Sequence, residues 1–280
     1  MALASRKEEA VEPKPLEPVA AVIEERAEVP FEAAAPLSRN TLAVLAGLVV
    51  LFNLPLIHFY VFRGAAPANV SLPFSDNFED PMTVSTNYWS TGGHYRTVGG
   101  WLLSPGVKNN PLWLKAKLPQ NVAVEFDARS QSPEGDIKVE IFGDGTDHAS
   151  GYVLIHGGWN NQMSIIARLD EHGASLNQLN QDALRIAAEK KLSSASLKDT
   201  GVFTQYTRMR VEAAPYPVQL GRTYRWRIER RGSMLTWFID GQKFMEFDDP
   251  FPLYGEKNNR FGFSSWEAQL YFDNLKVEAL

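Results

Sequence analysis

The chain has 280 residues, a formal net charge of −5 and no cysteine, which excludes disulfides, thiolate nucleophiles and thiolate metal sites. Residues 1–40 carry five basic and eight acidic side chains, and residues 64–280 carry 22 and 25. Neither part has the basic excess of a nucleic-acid binder, so no nucleic-acid partner is expected.

Residues 1–40 are rich in Ala, Glu, Pro and Val. Prolines at 13, 15, 18, 30 and 36 block a long helix, and few apolar side chains are available to bury. A disordered tail is expected, with a short helical turn near Val19–Ala27. It serves either as a spacer or as a docking segment for a cytoplasmic partner.

Thr41 to Phe62, TLAVLAGLVVLFNLPLIHFYVF, contains no Asp, Glu, Lys or Arg. At about 1.5 Å of rise per residue it crosses a hydrocarbon core of roughly 30 Å. Residues 41–63 are therefore read as one transmembrane helix, with His58, Tyr60 and Phe62 at an interfacial belt. A cleaved signal peptide is the first rival, since Ala65-Ala66-Pro67-Ala68 supplies small residues for cleavage. Signal peptides, however, carry a shorter apolar run nearer the start. A buried soluble helix is the second rival, but the preceding tail offers no core to cover it. Pro55 removes a backbone donor and should kink the helix. Asn53 and His58 are polar within the span, and polar groups in lipid seek protein partners. Asn53, Pro55 and His58 are the candidate contacts to a partner helix. Arg26 and Arg39 precede the span and Arg63 alone follows closely. This bias puts the N-terminus in the cytoplasm and the C-terminal domain in the periplasm or outside the cell.

Residues 64–73 read as an Ala/Pro linker, and 74–280 as one all-β domain. Apolar and polar residues alternate at Val122, Val124, Phe126 and Ala128, at Ile137, Val139 and Ile141, at Tyr224, Trp226 and Ile228, and at Leu235, Trp237 and Ile239. A period of two marks half-buried strands. Asp240-Gly241 is a two-residue hairpin signal, because both central positions of a type I′ turn need positive φ. Phe261, Phe263, Leu270 and Phe272 supply the last strands. Ser175 to Leu192 breaks the pattern. Its apolar residues at 176, 179, 183, 184, 186 and 187 fit a short amphipathic helix inserted over an edge or rim. Trp226 and Trp237 occupy inward positions; Trp89, Trp101, Trp113 and Trp266 are left open between core and surface.

The run WFIDGQKFMEFDDPFPLYGEKNNRFGFSSWEAQLYFDNLKV resembles the end of a concanavalin A-like lectin/glucanase jelly roll. It has a DG hairpin, a D-P-x-P-L loop, an R-F-G-F strand and a closing F-D-N-x-x-V strand. The opening FSDNFED and the segment GYVLIHGGWNN fit the same picture. The likeness spans most of 74–280 and is nearest to laminin-G-like and bacterial glycan-associated branches. It implies an antiparallel jelly-roll β-sandwich of two sheets, with sugars on a concave face, first and last strands side by side and often a calcium ion beside them. The fold hosts lectins, hydrolases and inert spacers alike, so it does not fix function.

Retaining glucanases of this fold use E-x-D-x-x-E on one strand face, with nucleophile and acid/base about 5–5.5 Å apart. Glu125-Phe126-Asp127 gives the first half, but Ala128-Arg129-Ser130 follows and the second Glu is missing. Asp136 and Glu140 in DIKVE share a face at about 13 Å along a strand, too far for a retaining pair. Both runs read as solvated strand faces, and glucanase activity is not expected. The stronger polar constellation is His156, Trp159, Asn160 and Arg168, with Asp170, Glu171 and His172. Gly157-Gly158 lets the Trp159 ring stand at a surface, and aromatic faces with Asn and Arg donors suit sugar hydroxyls. Trp266 joins them as a ligand candidate. Asp170, Glu171 and His172 are sequence neighbours and cannot all converge on one reacting atom. For metal, Asp76, Glu79 and Asp273 would meet if the outer strands pair, and carboxylates suit Ca²⁺. The alternative is a turn and a bulge in which Asp273-Asn274 bonds its own backbone. Three functions remain open: a non-catalytic membrane-anchored module binding glycan or protein, a structural subunit of a larger membrane complex, and a glycoside hydrolase with an atypical site.

Overall fold

The computed structural model describes residues 36–61, 64–90, 92–193 and 199–280. Most of the expected tail, including Val19–Ala27, lies outside the described residues, as do Phe62 and the side chain of Tyr60.

The N-terminal helix is Arg39–Val61, 23 residues and about 35 Å long at 1.5 Å per residue. Ser38 caps it: its hydroxyl accepts the Thr41 N–H at 3.1 Å, and its carbonyl accepts Leu42 N–H at 3.0 Å. Over Arg39–His58 the helix is long and apolar enough to cross a bilayer, and none of that stretch is buried. Pro55 lies inside it. Asn53 Nδ2 donates to the Val49 carbonyl at 2.7 Å, one turn back, so the helix itself takes up part of that amide's polarity.

Residues 74–280 form a β-sandwich of two sheets with a short helix. The first sheet runs β14 (Gln242–Asp248), β13 (Met234–Ile239), β12 (Tyr224–Arg231), β6 (Val122–Ser130), β16 (Gln269–Ala279), β4 (Trp101–Pro105) and β3 (Arg96–Val98). The first strand, β1 (Phe74–Asp76), also pairs with β16, Phe74 opposite Val277, so the ends of the domain lie side by side. The second sheet runs β10 (Ala174–Ser175), β11 (Met209–Glu212), β9 (Met163–Arg168), β8 (Tyr152–Gly157), β7 (Ile137–Gly143), β15 (Arg260–Ser264), β5 (Leu112–Leu114) and β2 (Tyr88–Ser90). Only β10 and β11 pair in parallel among the described strands.

The period-two residues make the core. Val122, Val124, Phe126 and Ala128 of β6 point inward with Trp226 of β12 and Trp237 of β13, against Ile137, Val139 and Ile141 of β7 and Phe261 and Phe263 of β15. Trp226 and Trp237 are fully buried, their ring centroids 4.3 Å apart. Trp113 is buried too, whereas Trp266 is 48% exposed. Asp240 and Gly241 both have positive φ, 52° and 77°, as a type I′ turn requires. In β16 the register shifts between Asp273 and Lys276, where Asn274 takes φ 52° and its N–H bonds Asp273 Oδ1 at 2.6 Å. This is a bulge, and it keeps both Phe272 and Leu275 facing the core.

The insertion helix is Leu176–Glu189, between β10 and β11 at the edge of the second sheet. It buries Ala183 and Ala187, with Leu176 and Leu179 packed on the core. The expected linker is partly tied down. Ala66 is buried, its N–H donates to the Gly145 carbonyl at 2.9 Å, and its carbonyl accepts Arg260 Nη2 at 2.7 Å.

Candidate functional site

On β7 the inward residues are Ile137, Val139 and Ile141, so Lys138 and Glu140 point to the outer face of the second sheet. That face also carries Val153 and Ile155 of β8 and Ile165 and Ala167 of β9, all fully buried. The connection after β9, residues 169–173, crosses over it. Glu171 reaches Lys138 Nζ at 3.1 Å, and Arg210 Nη1 donates to the Glu171 carbonyl at 3.3 Å.

Beside this connection lies a cleft of about 540 Å³, lined among others by Asn109, Asp136, Lys138, Trp159, Glu171 and Trp266. Trp159 comes from the turn between β8 and β9. Gly157, Trp159, Asn160 and Asn161 all take left-handed backbone there, with φ of 68°, 51°, 58° and 62°. Side-chain crowding disfavours this region for a bulky L-residue by roughly 1–2 kcal/mol. The turn is held by Asn161, whose amide donates to Val218 O and accepts Val218 N–H, both at 2.7 Å. A Cβ at Gly157 would collide with that amide. The result is a Trp159 ring 38% exposed, edge-on to His172 at 5.8 Å.

Trp266 comes from the loop between β15 and β16. Its N–H donates to Asp136 Oδ2 at 2.8 Å, and its carbonyl accepts Lys108 N–H at 2.8 Å. Gln131 N–H donates to Gln269 O at 2.9 Å, so loops 131–136 and 265–269 are stitched together.

The floor is a charged network. Lys138 Nζ donates to Asn109 Oδ1 at 3.0 Å and Glu171 Oε2 at 3.1 Å, and stands 3.9 Å from Asp136. Glu140, fully buried, bonds His148 Nδ1 at 2.6 Å and accepts Ala149 N–H at 2.8 Å. His148 Nε2 lies 3.6 Å from Glu171. Burial pushes the His148 pKa down, but its bonds to Glu140 and Glu171 outweigh burial and lift it to about 9. Burial pushes Glu171 up, but His148 and Lys138 outweigh it and hold the carboxyl at about 2. Burial also raises Asp136, opposed by Lys138. Asp136 and Glu140 are expected on a solvated face; instead Asp136 is covered from the Trp266 loop, whose N–H it accepts, and Glu140 is buried against the His148 loop.

The structure brings Trp159, Asn160, Trp266, Glu171 and His172 to this cleft. It does not bring His156 and Arg168, and this corrects the sequence reading. Strand alternation turns both inward. His156 is fully buried, stacked on Tyr216 at 5.2 Å, with Nε2 at 2.9 Å from the Tyr216 carbonyl. Burial lowers its pKa to about 4, so the ring is neutral. Arg168 is fully buried and pairs with Asp249 at 2.8 Å while donating to the carbonyls of Thr207, Gln205 and Phe251. It braces loops inside the sandwich.

Glu125 and Asp127 lie on the outer face of the first sheet. Glu125 pairs with Arg227 and with Arg225 at 2.8 Å, and Asp127 with Arg225 at 3.3 Å and Asn274 Nδ2 at 2.8 Å. They form an ion ladder across β6 and β12 and are not part of the cleft lining. Near the chain ends, Asp76 accepts Phe78 N–H at 2.8 Å, Thr83 Oγ1 at 2.5 Å and Tyr88 OH at 3.1 Å. Burial first, then Asp127, Glu79 and Asp76, raise the Asp273 pKa, so these carboxylates sense one another. Among the described residues no group of three or more His, Asp or Glu side chains is placed to hold a metal ion.

No protein-family model and no curated protein matches the sequence. Among solved structures, the chain is similar to a carbohydrate-binding module CBM66 from Bacillus subtilis, at 11% identity and TM-score 0.44, covering 69% of this chain and 96% of that one. It is similar to a sialidase at 10% identity and TM-score 0.48, covering 76% of this chain and 19% of that one. It is also similar to a protein of unknown function with a galectin-like fold from Bacillus subtilis, at 12% identity and TM-score 0.43, covering 74% and 94%.

Proposed function

We propose that this chain is a single-pass membrane protein whose C-terminal sandwich, a concanavalin A-like jelly roll, binds glycan in the Trp159–Trp266 cleft without processing it. The N-terminal tail is cytoplasmic and the sandwich extracytoplasmic. The observation that carries the reading is Trp159: a bulky ring set on left-handed backbone and left 38% exposed at a cleft. Backbone strain of this kind persists where a function repays it. Two half-exposed indoles beside Asn109 and Asn160 supply the flat apolar faces and amide groups that a pyranose ring matches. The unburied apolar helix supports the anchor. The full chain, purified in a non-glycosidic detergent, is screened against a glycan array. Saturable binding that is lost in Trp159→Gly supports the reading; absence of any glycan ligand overturns it.

The same helix favours a second reading, a structural subunit of a membrane complex that packs through Asn53, Pro55 and His58. A stoichiometric membrane partner that copurifies with the chain, and is lost when Asn53 becomes Leu, would support it.

A further inference from the structure

Charge is distributed unevenly around the cleft. Its lining includes four carboxylates, Glu134, Asp136, Glu171 and Glu267, against one ammonium, Lys138, and one imidazole, His172. The Lys138 side chain is only 2% exposed and is held by Asn109, Glu171 and Asp136, so it offers no uncommitted ammonium to a ligand. His172 leans on Glu171 at 3.7 Å. Glu171 is already matched by Lys138 and His148.

Glu134 and Glu267 differ from these. Both are exposed. Glu134 makes no ion pair among the described residues. Among the described residues Glu267 pairs only with Lys108, at 3.1 Å, and both side chains of that pair are more than half exposed. Such a pair is weak and exchanges readily. On the stitched loops 131–136 and 265–269, Glu134 is therefore the carboxylate without an ion-pair partner among the described residues, and Glu267 shares an exposed Lys108. The indoles have the same preference. The Arg210 guanidinium lies 5.8 Å from the Trp159 ring centre, and Lys108 Nζ lies 5.9 Å from that of Trp266. Both rings attract cations to their π faces.

We infer that the cleft selects basic, amine-bearing saccharides and rejects those carrying carboxylate or sulfate groups. The inference rests on the glycan-binding reading and narrows it to a ligand class. The protonated amine of a 2-amino sugar would meet Glu134, Glu267 and an indole face. N-acetylation removes that charge and leaves the sugar ring unchanged. A uronate would face the same carboxylates with like charge, and repulsion of this kind is an effective source of specificity.

The test titrates the full chain, in non-glycosidic detergent, with three oligosaccharides of equal length: fully deacetylated chitosan, its N-acetylated counterpart and oligogalacturonate. At about pH 5.5 the amine of chitosan is protonated. The chitosan oligomer is expected to bind about tenfold more tightly than the acetylated one, a margin of roughly 1.4 kcal/mol, and oligogalacturonate to show no saturation. Salt should shrink the margin, since screening acts on exposed charges. The double variant Glu134→Gln/Glu267→Gln should remove the margin between the chitosan oligomer and the acetylated one. Equal or tighter binding of the acetylated or uronate oligomer overturns the charge selection and leaves glycan binding standing. Failure of all three to bind, with no ligand on the glycan array, overturns both.

Discussion

The outer faces of the two sheets begin from the same sequence pattern and end in different states. On β6, Glu125, Asp127 and Arg129 alternate with core residues; on β7, Lys138 and Glu140 do. The first set stays partly exposed, with Glu125 26% exposed and answered by arginines from the neighbouring strand. The second is sealed: Lys138 is 2% exposed and Glu140 is fully buried. The difference comes from what crosses each face. Residues 169–173 and the loop bearing His148 cover β7, while β12 merely pairs beside β6. An identical period of two therefore yields a weak surface ladder in one case and a buried network under a cleft in the other. Outward-pointing charge marks a site only when another segment folds over it.

The largest expected contrast comes from cutting one carboxylate in each set. Glu140→Ala leaves His148 and the Ala149 N–H without their acceptor in a buried setting, and should cost about 3–5 kcal/mol. Glu125→Ala should cost no more than about 1 kcal/mol. Urea unfolding of the two variants measures both; similar losses would erase the distinction between the faces.

Acidity sharpens the comparison next. His148 is raised to about 9 from an ordinary 6.5, so its stabilisation is complete below pH 6.5 and is lost as pH rises toward 9. His156 is lowered to about 4, so its contribution is complete above pH 6.5 and is lost as pH falls toward 4. Glu171, held at about 2 against an ordinary 4.5, adds a further loss below pH 4.5. Stability should therefore peak near pH 6.5, with about 3 kcal/mol lost on the alkaline limb and roughly twice that on the acid limb, where two groups contribute. His148→Gln should flatten the alkaline limb, and His156→Gln the upper part of the acid limb, leaving the Glu171 loss below pH 4.5. Thermal melts across pH read this directly, and an unchanged alkaline limb in His148→Gln would show that the network does not hold the proton.

A smaller effect is expected at the hairpin of the first sheet. Gly241→Ala places a Cβ at φ 77° and should cost about 1 kcal/mol, measured by the shift in urea midpoint. No change in glycan affinity should accompany it, because the turn is not part of the cleft lining.

Much of the fold was legible because strand alternation is a local property. The inward positions of β6, β7, β12 and β13, the Asp240-Gly241 turn and the insertion helix all follow from residue spacing. The cleft was legible only in part. Gly157-Gly158-Trp159-Asn160 announces an exposed ring through its two glycines, and Trp159 stands at the cleft. The same stretch misplaced His156, because the alternation that puts Tyr152 and Leu154 in the core carries on to it, and Arg168, whose partner Asp249 is 81 residues away. Lys138, Glu140 and His148 gave a signal, charges on a strand followed by a His across a hairpin, but their burial depends on a crossing segment that no local pattern encodes. Asn109, Glu134 and Glu267 gave none; loops stitched by backbone bonds bring them to the cleft.

The most direct test pairs two readouts on Trp159→Gly in the full chain: glycan affinity and melting temperature. A ring held on left-handed backbone for a ligand should be replaceable by glycine with stability unchanged or raised by about 1 kcal/mol, while affinity falls at least tenfold. Loss of stability comparable to that of a core tryptophan, with affinity retained, would make Trp159 a packing residue and would remove the cleft as the binding site.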